Sequence, residues 1–352
     1  MSGGITQLVA IGAQDAFLTG DPQVSFFNSV YKRHTNFAQV TQRQVIQGNP
    51  GIGSTSVVRF ERKGDLLSYV YFVNKVSGEV KPWDATMIDK VELLIGGQVI
   101  DTQEYAFSKT IWPKLGSVGD HFTKSLTSGE DGSADQYFYP LHFFFCDNYS
   151  QALPLVALQY HDVEVRITWG STGDTGDFEC MANYVYLDEA ERMAVAEKPR
   201  DMLVTQVQKT VPSNLAVQDL VLNHPVKFIA AASSNVCSGP AFSTPIRFQV
   251  NGVDIGDPKE ITPHFNDVPA YYHEFNGTDV HATGTDARGL FVIPFALMTT
   301  KFQPCGTLNF SRIDSARLST TVGGVIFQET LYAVNYNVLR IENGLGGLLF
   351  AN

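Results

Sequence analysis

The chain has 352 residues, more than the roughly 250–300 at which a single hydrophobic core stops growing, so two domains are expected. Charged residues make up 17% of it, below a typical value of about 25%, and with 24 Phe and 14 Tyr this fits either β structure or surface that partners cover, since interface cores are poor in charge and rich in aromatics. A net charge of −11, with no basic block longer than Lys32 and Arg33, argues against direct nucleic-acid binding, which relies on clustered cations.

The first predicted element lies in "GAQDAFLTGDPQVSFFNSVYKRHTNFA", residues 12–38. Asp21 can cap a helix and Pro22 fits its first turn, with Phe26, Phe27, Val30, Tyr31 and His34 following at helical spacing. The stretch before it carries Asp15 inside its apolar run, so no signal peptide is expected, and nowhere do 18 apolar residues run together to span a membrane. "VELLIGGQVI" places Gly96 and Gly97 between apolar runs, a two-residue hairpin signal. "QALPLVALQ", 151–159, reads as a short helix, and "DVEVRITW", 162–169, alternates Val163, Val165, Ile167 and Trp169 with polar residues as a half-buried strand does. "DEAERMAVAEK", 188–198, is rich in helix formers and stopped by Pro199. Asn251 and Gly252 form a second hairpin turn, and "YAVNYNVLRI", 332–341, is a late alternating strand with Tyr332, Val334, Tyr336 and Val338 on one side.

Strands on both sides of the 188–198 helix make it a domain boundary, and the two halves repeat. Gly96 and Asn251 are offset by 155 residues, Pro140 of "YPLHFFF" and Pro294 of "IPFALMT" by 154, and Asp162 of "YHDVEVRI" and Asp314 of "RIDSARLS" by 152. Such agreement points to a duplicated β unit. A unit of roughly 150 residues with many short strands and Gly and Pro turns fits a sandwich or barrel, and eight-stranded jelly rolls occur in capsid, lectin and cupin domains.

Chemistry-bearing motifs are sparse. His264, His273 and His281 stand eight or nine residues apart in a polar stretch, a poor metal-ligand set for a cupin. "GNPGIGS", 48–54, has no following Lys or helix, and "GLGG", 344–347, lacks the strand-then-helix setting of a dinucleotide site. Cys146, Cys180, Cys237 and Cys305 lie far apart and read as buried free thiols. No catalytic residue, cofactor or metal is assigned. Sequons occur at Asn148, Asn276 and Asn309; Asn309 reads as structural, while Asn276 and Asn148 are the glycosylation candidates. "PAYYHEF", 269–275, is the single aromatic and acidic cluster that a carbohydrate-binding attachment protein or minor capsid spike would need.

The opening stretch 12–38 resembles the N-terminal signature of the double jelly-roll major capsid proteins of nucleocytoplasmic large DNA viruses, those of algal and protist viruses in particular. "FFFCDNYSQALPLVALQYHDVEVRI" (143–167), "NYVYLDEAERMAVAEKPRDMLVTQVQ" (183–208), "LNHPVKFIAAAS" (222–233), "QPCGTLNFSRIDSARL" (303–318) and "YAVNYNVLRIENGLGGLLFAN" (332–352) resemble its later segments in order. The resemblance implies an all-β fold of two tandem eight-stranded antiparallel jelly rolls: an arm at 1–27, a first roll at 28–187, a connecting helix at 188–200, a second roll at 201–341 and a tail at 342–352. It implies a major capsid protein, not an enzyme, that forms homotrimeric capsomers of nearly hexagonal outline tiling an icosahedral shell. Its implied partners are neighbouring capsomers, minor capsid proteins beneath the shell, a penton protein and, indirectly, an inner membrane layer. The implied location is the virion, with assembly in a cytoplasmic viral factory. The arm, through Asp21, Pro22, Phe26, Phe27, Val30 and Tyr31, is expected at the shell's inner side. The polar stretches 116–137 and 257–289 are expected on its outer face.

Overall fold

A computed structural model describes residues 4, 9–81, 83, 87–116, 137–171, 177–233, 236–273 and 290–350. They fall into two compact units, Met1–Asn36 and Phe37–Asn352.

In the small unit the helix runs over Asp15–Thr19, upstream of its expected place. Gly12 N–H donates to Asp15 Oδ2 at 3.0 Å at its start, and Gly20 N–H donates to the Ala16 carbonyl at 2.9 Å at its end. The helix expected from Asp21 and Pro22 does not form. Asp21 takes a left-handed φ of +50°, and Phe26, Phe27, Val30 and Tyr31 stand exposed on turns and irregular backbone. The physical reason is composition: residues 24–31 are aromatic, β-branched, Ser or Asn, all mediocre helix formers, and a short amphipathic helix needs its apolar face covered.

In the large unit the sixteen principal strands among the described residues form two sets of eight. The first is β1 (Phe37–Gln44), β2 (Thr55–Arg59), β3 (Leu66–Val76), β4 (Ile88–Ile95), β5 (Gln98–Glu104), β6 (Phe138–Pro140), β7 (Val163–Trp169) and β8 (Asp177–Leu187). The second is β9 (Arg200–Thr210), β10 (Val217–Asp219), β11 (Pro225–Ala231), β12 (Pro245–Val250), β13 (Val253–Asp254), β14 (Phe291–Pro294), β15 (Ala316–Thr320) and β16 (Leu331–Glu342). All pairings are antiparallel. The first set makes sheets β1-β8-β3-β6 and β2-β7-β4-β5; the second makes β9-β16-β11-β14 and β10-β15-β12-β13. Adding eight to every strand of the first roll gives the second, so the chain is two jelly rolls in tandem. Short strands such as Leu153–Pro154 on β3 and Leu308–Asn309 on β11 also correspond.

The alternation read in 163–169 holds: Val163, Val165, Ile167 and Trp169 all point into the first core, where Trp169 Nε1 donates to Ser56 Oγ at 2.8 Å. Both hairpin turns form with positive φ, 58° and 81° at Gly96 and Gly97, 51° and 78° at Asn251 and Gly252. Each turn bonds back in the same way, Gly96 N–H to the Asp162 carbonyl and Asn251 N–H to the Ser315 carbonyl. The connecting helix spans Glu189–Glu197 and is tied to the first roll by Arg192 Nε on Asp65 Oδ1 at 2.8 Å.

Two expectations need correcting, and one helical run has no counterpart in the sequence reading. Residues 151–159 are not a helix: a single 3₁₀ turn, Tyr149–Gln151, leads into the strand Leu153–Pro154, because Leu153 is buried against β3 and Pro154 has no N–H to continue a helix. The stretch 257–289 is not all loop, since Ile261–His264 and Asp267–Tyr272 are helical; residues 274–289, like 117–136, lie outside those described. "FSKTIWPKL" is helical from Phe107 to Leu115 as a π turn running into an α turn, and its Phe107, Ile111 and Leu115 form one buried stripe at i, i+4, i+8.

That helical run, with β5, joins the rolls. Phe107, Ile111, Trp112 and Leu115 pack on Phe228, Ala230, Val292, Tyr332 and Val334, the outward face of sheet β9-β16-β11-β14. From the same sheet Met202, Val204, Leu339 and Ile341 enter the first roll's core. Polar contacts fix the register: Gln206 Nε2 donates to the Ile100 carbonyl, Tyr332 Oη donates to Glu104 Oε2 at 2.7 Å, and Lys209 pairs with Glu104. The buried Asp101 carboxylate accepts from Val207 N–H at 2.8 Å, Thr102 N–H at 2.9 Å and Gln103 Nε2 at 2.8 Å. Burial outweighs these bonds and pushes its pKa from 3.8 up to about 6.

Between these two values the folded chain keeps a proton that the unfolded chain has lost. The stability due to Asp101 is therefore complete below about pH 4 and is lost as pH rises through 6, a swing of about 3 kcal/mol. Urea unfolding of wild type and Asp101→Asn at pH 4.5 and 7.5 should show the variant gaining on wild type at the higher pH; a pH-independent difference would rule this out. Gly96→Ala should lower the unfolding free energy by roughly 1–3 kcal/mol, because φ is +58° and an added Cβ would lie 2.4 Å from His161 Nδ1. An unchanged denaturant midpoint would contradict it.

Candidate functional site

Large apolar side chains left uncovered mark surfaces that other molecules can cover. One such surface is the outward face of β1-β8-β3-β6. Tyr69 and Tyr71 stack at 6.4 Å and Phe138 meets Tyr71 edge-on at 6.0 Å, with Val73 half-buried beside them. Burial raises the Tyr71 hydroxyl above its ordinary pKa of 10.0, so it stays neutral. The patch ends at Glu179, bridged by Lys75 at 2.8 Å and Arg43 at 3.3 Å.

A second surface is the helix Asp267–Tyr272. Asn266 caps it by accepting from Asp267 N–H at 2.8 Å, and Pro269 is its buried anchor. Val268, Tyr271 and Tyr272 are exposed, the two tyrosine rings 4.9 Å apart and edge-on. These are the tyrosines of the "PAYYHEF" cluster; its Glu274 and Phe275 lie outside the described residues. The arm residues Phe26, Phe27, Val30 and Tyr31 form a third exposed set within the small unit.

The remaining motifs have structural employment. His264 Nε2 faces Glu260 at 3.9 Å and His273 Nδ1 lies 2.9 Å from the Ala296 carbonyl, while His281 is outside the described residues. "GNPGIGS" is a turn in which Gly51 N–H donates to Ser54 Oγ at 3.0 Å, followed by β2 and not by a helix. Gly344, at φ +81°, turns β16 back into Leu345–Leu348. Asn148 Oδ1 accepts from Ser150 N–H and Asn309 Oδ1 from Ser311 N–H, both at 3.0 Å, each opening a 3₁₀ turn; Asn276 is not among the described residues. Cys180 and Cys237 are buried free thiols as expected, whereas Cys146 and Cys305 are only partly covered. A cavity of about 350 Å³ is bordered by Arg59, Arg62, Lys63, Glu61 and Asp162. Its cations are already engaged, Arg59 with Asp162, Lys63 with Glu61 at 3.1 Å and Arg62 with the Leu158 carbonyl at 2.7 Å.

Sequence reasoning found the two tyrosines and the arm aromatics but missed Tyr69, Tyr71, Val73 and Phe138. A further repeat would have drawn attention to the strands that bear on these surfaces: "VTQRQ", 40–44 on β1, matches "VTQVQ", 204–208 on β9.

Comparison with known proteins agrees with this architecture. The family described as "Major capsid protein N-terminus" matches residues 25–188, and that described as "Large eukaryotic DNA virus major capsid protein" matches residues 191–347. The major capsid protein of Pyramimonas orientalis virus is 33% identical and that of Paramecium bursaria Chlorella virus 1 is 32% identical, each over the whole of both chains. Among solved structures, the PBCV-1 virus capsid quasi-atomic model aligns with a TM-score of 0.72 at 27% identity, covering 93% of this chain and 100% of that one. The Faustovirus major capsid protein shares the fold, with a TM-score of 0.65 at 12% identity and 94% coverage of each chain. With both halves matched in order, and relatives at these identities spanning its full length, the chain belongs to the major capsid proteins of large eukaryotic DNA viruses and is a structural protein of the virion shell, not an enzyme.

Proposed function

We propose that three copies of this chain assemble into a capsomer of nearly hexagonal outline, and that such capsomers tile the flat facets of an icosahedral shell. The observation that carries the reading is the repetition of one eight-stranded topology twice in a single chain. Three chains then present six rolls, so a particle with three-fold symmetry can meet six neighbours. The work is done by shape and buried area, and no chemistry is required of the chain. The division into an arm (1–27), a first roll (28–187), a connecting helix (188–200), a second roll (201–341) and a tail (342–352) belongs to this reading, supported by family matches that meet at the connecting helix.

The arm has a separate role in this scheme. Exposed Phe26, Phe27, Val30 and Tyr31 are an apolar set suited to contact with minor capsid proteins beneath the shell or with neighbouring capsomers. Penton proteins and an inner membrane layer are further neighbours, and assembly takes place in a cytoplasmic viral factory. Asn148 and Asn276 are the glycan candidates, and an intact mass of virion-derived protein equal to the bare polypeptide would end that idea.

Native mass measurement of the purified protein should give a trimer, and electron micrographs should show a three-lobed, nearly hexagonal particle; a monomer at high concentration would overturn the reading. Deleting residues 1–25 should leave the trimer intact and reduce shell assembly, and wild-type assembly by the deletion would remove the arm from this role.

A further inference from the structure

The strand Leu345–Leu348 belongs to the second roll by pairing and to the first roll by contact. It folds back on β16, with Gly346 opposite Ile341 and Leu348 opposite Leu339, across a turn in which Asn343 and Gly344 both take left-handed φ, 53° and 81°. Its other side meets residues 158–162, the segment that leads into β7 of the first roll. Tyr160 N–H donates to the Gly344 carbonyl at 3.0 Å. His161 Nδ1 lies 2.8 Å from the Gly346 carbonyl oxygen and 3.2 Å from Gly346 N. Leu348 N–H reaches Gln98 Oε1 at 3.4 Å at the start of β5, and the Leu348 side chain packs on the first roll's core.

The glycines of "GLGG" are placed to suit this contact. A Cβ at Gly344 would lie 2.6 Å from Tyr160 Cδ2 and one at Gly346 2.6 Å from Leu158 Cδ2, whereas one at Gly347 would come no closer than 3.5 Å, to Gln98 Oε1. Gly346 is not among the left-handed residues, so close approach and not backbone conformation calls for glycine there. His161 pins the arrangement, because its ring also touches Gly96, where an added Cβ would fall 2.4 Å from Nδ1. The far side of the same segment closes the cavity of about 350 Å³. Asp162 pairs with Arg59 and lies 3.7 Å from Arg62, which donates to the Leu158 carbonyl at 2.7 Å. The strand's own attachment is light. It is four residues long, and Leu345, Leu349 and Phe350 around it are exposed, the setting in which local opening comes well before global unfolding.

We propose that Gly344–Phe350 is a strap, hinged at Asn343 and Gly344, that opens while both rolls stay folded and whose closure holds the Asp162 carboxylate across Arg59 and Arg62. Closed, the strap supplies one wall for residues 158–162, through the Gly344 and Gly346 carbonyls and the space left by two missing side chains. Open, it releases Tyr160 and His161, the segment loses that wall, and the two guanidinium groups face the cavity without their carboxylate. The contact is autoinhibitory in form, because second-roll residues keep a pair of first-roll cations masked.

Hydrogen exchange on the full chain tests this. In the wild-type protein, residues 345–350 and 158–162 should exchange together and at least tenfold faster than β16; exchange of 345–350 as slow as that of β16 would overturn the strap. Gly346→Ala should speed exchange in both segments at least tenfold and leave β9 and β16 unchanged, while Gly347→Ala should alter neither. Faster exchange throughout both rolls in Gly346→Ala would make Gly346 a packing residue of the core and overturn the proposal. Phenylglyoxal, which attacks free guanidinium groups, should modify Arg59 and Arg62 at least fivefold faster in Gly346→Ala than in wild type, with Arg166, held by Glu92 at 3.3 Å, reacting at one rate in both. Opening of 345–350 with no change at 158–162, or with unchanged rates at Arg59 and Arg62, would overturn the masking. The wild-type exchange measurement decides the strap by itself should Gly346→Ala fail to fold.

Discussion

The structure depends on one sheet, β9-β16-β11-β14, being covered on both faces. In β16 Leu331 and Ala333 point into the second roll's own core while Tyr332 and Val334 point the other way, onto Phe107 of the first roll. An antiparallel sheet in a sandwich ordinarily leaves its outer face to water. Here that face carries Phe, Val and Ala, and each apolar side chain of Val or Phe size gains about 1.5–3 kcal/mol when fully covered. The second roll alone would expose this surface, and the first roll alone would expose Ile100 and the stripe Phe107, Ile111 and Leu115. The two rolls are therefore repeats in topology but a single body in stability, which agrees with their forming one compact unit.

Apolar faces of this kind can slide, and buried polar groups are what fix their register. Asp101 and the Ile100 carbonyl on β5 meet Val207 N–H and the Gln206 side chain on β9, and Gln206 Oε1 in turn accepts from Asn337 Nδ2 at 2.9 Å. A slip of one residue would leave a carboxylate and several amides buried without partners, at a cost of about 1–3 kcal/mol for each uncharged group and more for the carboxylate. The same network explains why a chain so poor in charge still buries several amide side chains.

Much of the fold was legible because its strands obey local rules. Residues 163–169 bury one face of a two-sheet sandwich and so alternate cleanly, and both hairpins carry the Gly or Asn that positive φ demands. The repeat was legible because turns and prolines recur at nearly one offset. Residues 107–115 were not read as a helix, since Lys109, Thr110 and Pro113 interrupt the apolar pattern and the stripe has meaning only against a sheet more than a hundred residues later. In the small unit the opposite error arose: Asp21, Pro22 and spaced aromatics imitate a helix start, but nothing in the local sequence supplies the covering surface on which helical spacing depends. The exposed aromatic face of the first roll escaped notice because Tyr69, Tyr71 and Val73 share β3 with inward-facing Val70 and Phe72. Such a strand reads as a continuous apolar run, with no periodicity to say which face is bare.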